Sequence, residues 1–285
     1  MRAGGLCFDT VMTILSQDDA AIESAREALV DLAGPFGFSV LAETSPRSVV
    51  RVLADVCPCR EVTLLKDPSV RVADVRALAQ EAHSEGELLV VDASIPTLYG
   101  CRPLDCGADV VLSACDDIEG MVALMPRAGA KKRRMLAERV LNARLAAEDA
   151  LLDLGSAREL IAQDGDMFRL HARRAQRRFD CARAFAEYIS CLDAVPSVWY
   201  PGLASHPDHA LAASVLAHGA GPLLEFELPR GIEFDELSGT LFAAGVDTVE
   251  TVFVPSAVSG RVAVLAGDDD PLALVDVFDR AFAGL

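Results

Sequence analysis

The chain has 285 residues and a formal net charge of −17, from 43 acidic and 26 basic side chains. The field of such a surface repels phosphate, which excludes nucleic acid and anionic membrane as main partners, and the length allows two modest cores without disulfide or metal. Hydrophobic residues make up 52% of the chain; this points either to apolar surface covered by another chain or to a core rich in Ala, Leu and Val, and composition does not choose between them.

Asp9 interrupts the apolar run at the N-terminus, so neither a signal peptide nor a membrane span is expected, and the expected compartment is the cytoplasm. From Asp18 to Ala33 the spacing of Ile22, Ala25, Leu29 and Leu32 predicts a helix that Gly34-Pro35 stops. "FGFSVLAE" reads as a strand, "SPRSVVRVLADV" as a short amphipathic helix, "REVTLLK" as a strand and "VADVRALAQEAHSEG" as a helix closed by Gly86. "ELLVVDAS" is apolar on both faces, as a parallel strand covered on each side must be. The β-α-β-α-β alternation predicts an α/β sheet, whose ligands bind at the carboxyl ends of the strands.

From about Lys131 to Ile189 the pattern is helical, with Phe179, Ala182, Phe185, Ala186 and Ile189 in one stripe. Beyond it come a strand-like "PLLEFELP", a helix near "FDELSGTLFAAG", a strand "RVAVLAG" and a last helix "PLALVDVFDRAFAGL". The expected organisation is a large domain over residues 1–160 and a smaller α+β domain over 161–285. Eight cysteines without secretory context read as reduced, and neither Cys57/Cys59 nor Cys101/Cys106 has neighbours at zinc-ligand spacing.

Three stretches carry a resemblance. "DPSVRVADVRALAQEAHSEGELLVVDASIPTLYGCRPLDCGADVVLSA", "VWYPGLASHPDHALAASVLAHGAGPLLEFEL" and "GRVAVLAG" are similar to the cysteine/methionine-metabolism enzymes that use pyridoxal phosphate, such as cystathionine gamma-synthase and methionine gamma-lyase. The match of Tyr200-Pro201-Gly202-Leu203 with Ser205-His206-Pro207 is the most specific part. The resemblance implies a type I pyridoxal-phosphate-dependent transferase fold, a mostly parallel sheet flanked by helices with a smaller C-terminal α+β domain.

Residue by residue, it implies that Asp92 stands where an aspartate pairs with the cofactor's pyridine nitrogen and keeps the ring an electron sink; the alternative is an aspartate capping the loop after the strand. Ser113 falls on a phosphate-binding serine, and Cys115 replaces a threonine in the same role, a weaker hydrogen-bonding partner. Asp67 replaces an asparagine beside the cofactor's phenolic oxygen, where an anion is repelled. Gly5 and Leu6 correspond either to a phosphate-cradling turn or to an ordinary helix entry. Arg261 lies on the arginine that clamps the substrate carboxylate, or is a structural arginine.

Asp116 occupies the position of the lysine that carries the cofactor and moves the alpha proton. Lysine occurs only at Lys66, Lys131 and Lys132, none at that position, and strand alternation aims Lys66 away from the Asp67 side. By the same resemblance, the family's N-terminal segment, its ring-stacking tyrosine (between Ser16 and Glu27) and a substrate-covering stretch between Ser259 and Arg261 are expected to have no counterpart here. The expectation is therefore a degenerate, inactive homologue that binds no cofactor and serves as a structural or regulatory subunit, paired with itself or with a full-length, lysine-bearing paralogue. Two alternatives stand beside it: a pyridoxal-phosphate-dependent sulfur amino acid lyase or transferase completed by a partner chain, and an amino-acid sensor built on Arg261.

Overall fold

The computed structural model describes residues 38–43, 58–66, 68–114, 121–126 and 166–285. They fall into two units. The first comprises Met1–Thr63 and Asp74–His171, the second Leu64–Ala73 and Ala172–Leu285. The division expected near residue 160 has one stretch on each side; in the structure the chain leaves the first unit at Thr63, returns at Asp74 and leaves again at His171.

The first unit is built on five strands, β1 (Phe38–Glu43), β2 (Cys59–Thr63), β5 (Leu88–Asp92), β6 (Val110–Ala114) and β7 (Met121–Pro126), in the order β1-β7-β6-β5-β2. The pairs β2–β5 and β5–β6 are parallel, while β6–β7 and β7–β1 are antiparallel. Leu88 to Val91 are all buried, which agrees with the unbroken apolar run of that strand. Helix α1 (Val75–Glu85) turns Val75, Ala79 and Ala82 inward at four- and three-residue spacing. Asp74 starts it by accepting from the Ala77 N–H, and Gly86, at φ 78°, ends it in the left-handed conformation that glycine adopts without strain. Arg60 of β2 reaches Glu81, Glu85 and Glu87. His83 Nε2 lies 2.7 Å from Asp109, whose same oxygen accepts from the Leu89 N–H.

The "REVTLLK" stretch is not one strand. Leu64 and Leu65 are both buried, which alternating side chains on one strand facing one core cannot achieve. The chain breaks at Leu64 into β2 and the two-residue β3 (Leu65–Lys66), which pairs with β4 (Arg71–Val72) as a hairpin of the second unit.

In the second unit β8 (Val198–Trp199), β9 (Leu223–Glu227), β10 (Val252–Pro255) and β11 (Arg261–Leu265) form an antiparallel sheet in the order β10-β11-β9-β8. One face packs on helices α2 (Asp166–Ile189), α4 (Phe234–Ala243) and α5 (Pro271–Phe282); a shorter helix, α3 (His209–Val215), precedes β9. The predicted stripe of α2 is fully inside, from Phe179 to Ile189. Phe278 of α5 is the centre of an aromatic cluster, meeting Phe185 edge-on at 5.1 Å and Phe226 at 5.7 Å, a geometry that adds to the burial of each ring. The turn from β10 to β11 is tight: Ser256 N–H donates to Arg261 C=O, and Arg261 N–H to Val258 C=O.

Candidate functional site

Two neighbourhoods hold the sequence-predicted residues, one in each unit. In the first, parallel pairing sets the ends of β5 and β6 side by side, with Asp92 opposite Leu112 and therefore one residue from the level of Ser113. Asp92 is half-buried, and its Oδ1 accepts from the Ser94 N–H at 2.9 Å. The carboxylate thus stabilises the turn after its strand, in the manner of an Asx turn. The hydroxyl of Ser94 is buried and has no hydrogen-bond partner among the described residues, which a buried polar group rarely tolerates without a ligand or water. Asp67, Cys115, Asp116, Gly5 and Leu6 lie outside the described residues, and Ser113 is described by its backbone alone.

The second neighbourhood is centred on Glu225, in the strand β9 between β8 and β11. Its side chain is completely buried. A carboxylate in that position needs charge-assisted donors, and it has them: the Ser69 N–H and the Ser256 hydroxyl both donate to it, and Arg261 Nη1 stands 3.8 Å away. The Arg261 guanidinium lies 3.7 Å over the Trp199 ring, a cation–π contact, and donates from Nη1 to Ser69 Oγ at 3.0 Å. His206 Nδ1 accepts the Asp208 N–H at 3.1 Å, so Nε2 carries the proton directed to the Ser69 carbonyl, 2.8 Å away. All three polar groups of Ser69 are therefore held by side chains distant in sequence.

The turn they hold is strained. Ser69 and Val70 have φ of 66° and 46°, and a buried β-branched residue in that region persists only where its surroundings impose it. Next to it, Arg71 donates from two nitrogens to Asp208, which also accepts from the Val72 N–H at 3.0 Å. The Arg71 hydrogen bond holds the Asp208 carboxyl below the usual carboxylate range, against the opposing effect of burial.

Of this second cluster, sequence reading singled out Arg261 and the Ser205-His206-Pro207 motif but assigned no role to Glu225, Ser69 or Trp199. The signal for Glu225 was its strand, where Leu224 and Phe226 are inward and Glu225 reads as outward and wet; its burial comes from residues far along the chain. Lys66 is exposed on β3. No group of three or more potential metal ligands occurs among the described residues, and no described helix is long and apolar enough to cross a membrane.

The model of the Cys/Met metabolism PLP-dependent enzyme family matches residues 62–250. The chain belongs to that family. Among relatives of the Cys/Met metabolism family, the chloroplastic cystathionine beta-lyase of Arabidopsis thaliana is 30% identical over 243 residues, covering 77% of this chain and 50% of the plant protein. The cystathionine beta-lyase MetC of Bacillus subtilis is 26% identical, over 77% of this chain and 56% of its own length. The chain thus spans about half the length of the curated relatives it matches. Among solved structures, the O-acetylhomoserine sulfhydrylase of Wolinella succinogenes superposes with a TM-score of 0.71 at 16% identity, covering 92% of this chain and 96% of that one. A cystathionine gamma-synthase of Xanthomonas oryzae gives 0.63 at 24% identity, over 85% and 68%. These likenesses show the type I fold of pyridoxal-phosphate-dependent enzymes.

The described residues fit the family's cofactor only in part. Asp92 and the unsatisfied Ser94 hydroxyl offer polar groups at the strand ends. Among the described residues the one lysine, Lys66, is exposed on a hairpin of the second unit; Asp116, Lys131 and Lys132 lie outside them.

Proposed function

We propose that this chain is a member of the Cys/Met metabolism family that does not perform the family's lysine-dependent chemistry, holds no covalent cofactor, and acts as a structural or regulatory subunit of an oligomer. The observation that carries this reading is the lysine supply. Asp116 stands at the position expected for the catalytic lysine, and the described Lys66 points to solvent from a hairpin. An aspartate has no amine with which to hold a carbonyl cofactor.

The test is spectroscopic. The purified protein incubated with pyridoxal phosphate and borohydride is expected to stay colourless and unlabelled by peptide mass; a stable adduct on Lys66, Lys131 or Lys132 overturns the reading. Asp116→Lys alone is expected not to restore elimination activity.

A second reading, a sulfur amino acid lyase or transferase completed by a partner chain, is favoured by the retention of Asp92 beside the unpartnered Ser94 hydroxyl. It predicts visible absorbance and activity only when the chain is mixed with a lysine-bearing relative.

A further inference from the structure

We infer that Glu225 is a carboxylate supplied by the chain itself to the Arg261 guanidinium, closing that position to amino-acid carboxylates and making Arg261 a positioning residue for the Ser69–Val70 turn. The inference rests on the reading above for the class of ligand excluded. A guanidinium stacked on an indole, with several N–H groups and little solvent around it, is a general receptor for carboxylate. In this protein that receptor already faces one: Glu225 Oε1 is 3.8 Å from Arg261 Nη1, and Arg261 itself is only partly exposed.

Three facts make Glu225 hard to displace. It sits on an interior strand, with β8 and β11 on either side. Two neutral donors, the Ser69 N–H and the Ser256 hydroxyl, fix its two oxygens. It is tethered, so it faces Arg261 without the loss of translational and rotational freedom that a free amino acid incurs. An incoming carboxylate would also be placed beside a buried anion, a like-charge contact in a medium that screens it poorly. Arg261 instead serves the turn, since its Nη1 donates to Ser69 Oγ at 3.0 Å while Glu225 takes the N–H of the same residue.

Calorimetric titration at neutral pH with L-methionine, and with L-methioninol as the analogue lacking the carboxylate, tests this. The wild-type protein is expected to bind neither. Glu225→Gln, which keeps the shape and removes the charge, is expected to bind L-methionine at least about tenfold more tightly than wild type, the effect of one charge-assisted contact regained. It should not bind L-methioninol, and Glu225→Gln/Arg261→Ala should bind neither ligand. Glu225→Ser serves as the second opening variant, with far-UV and near-UV circular dichroism checking the fold of each. Wild-type binding of L-methionine that L-methioninol does not share overturns the inference without recourse to any variant; so does a folded Glu225→Gln or Glu225→Ser protein that fails to bind. A borohydride-stable cofactor adduct overturns the proposed function instead, and leaves these titrations to be read as they stand.

Discussion

Asp208 shows how one side chain ties acid stability to a loop. Its carboxyl is held low in the folded protein by Arg71, whereas an unfolded aspartate titrates near 3.9. A depressed folded value stabilises the native state above the unfolded value, and that stability is lost as pH falls through the folded one. Arg71→Ala is therefore expected to cost about 1 kcal/mol at neutral pH, since a charged hydrogen bond is involved but Arg71 is largely exposed. The same variant should raise the Asp208 titration midpoint, read by carboxyl carbon NMR, and flatten the loss of stability below roughly pH 4. An unchanged Asp208 midpoint would show that the pair does not couple in solution. At this scale the sequence was legible where a residue's role is local: Asp92 at the end of its strand and the caps Asp74 and Gly86 follow from neighbours within a few positions. Glu225 was not legible, because its donor Ser69 is 156 residues away, and alternation alone assigns it to the wet face.

Among the elements, α5 is held by its aromatic contacts and the loop before it by a steric constraint. Phe278 is fully buried against Phe185 and Phe226, so Phe278→Ala is expected to lower stability by about 3–5 kcal/mol in denaturant unfolding. Leu272 on the same helix is 73% exposed, and Leu272→Ala should change monomer stability by less than about 0.5 kcal/mol. A comparable loss from both would mean that α5 packs differently. Gly267 precedes the helix. A Cβ there would stand 2.6 Å from the Glu250 carbonyl carbon and 2.8 Å from the Thr251 nitrogen, where only backbone could yield. Gly267→Ala is therefore expected to cost about 2 kcal/mol or more, seen as a lowered unfolding midpoint. Periodicity gave α1, α2, α4, α5 and the buried β5 because each has one apolar face or none that is wet. It read "REVTLLK" as continuous because nothing within seven residues signals that the chain leaves the first unit after Thr63 and that Leu64 and Leu65 are both buried.

At the scale of the molecule, the proposed subunit role requires association. Phe242 and Leu272 stand 72% and 73% exposed on α4 and α5 of the second unit, and large apolar side chains in solvent mark interaction surfaces when they cluster. Light scattering at micromolar concentration is expected to show a stable oligomer, alone or with a lysine-bearing relative, through an interface above roughly 1,000 Å². A monomer in both conditions would remove the subunit role. The fold class was legible because the family's signature stretches lie along most of the chain; the assignment of Leu64–Ala73 to the second unit was not, since Ser69 and Arg71 find their partners at His206, Asp208, Glu225 and Arg261, far along the chain.

That excursion has a consequence for a nicked molecule. The β3–β4 hairpin is made early in the chain, yet Ser69 and Arg71 are bound by His206, Asp208, Glu225 and Arg261, all delivered later. A protease cut anywhere between residues 74 and 171 yields an N-terminal fragment that carries the hairpin and a C-terminal fragment that carries its binding groups. The two pieces should remain together on a native column and separate only in denaturant. A C-terminal fragment made alone, by contrast, should aggregate, because Glu225 loses the Ser69 donor and its charge is buried without it.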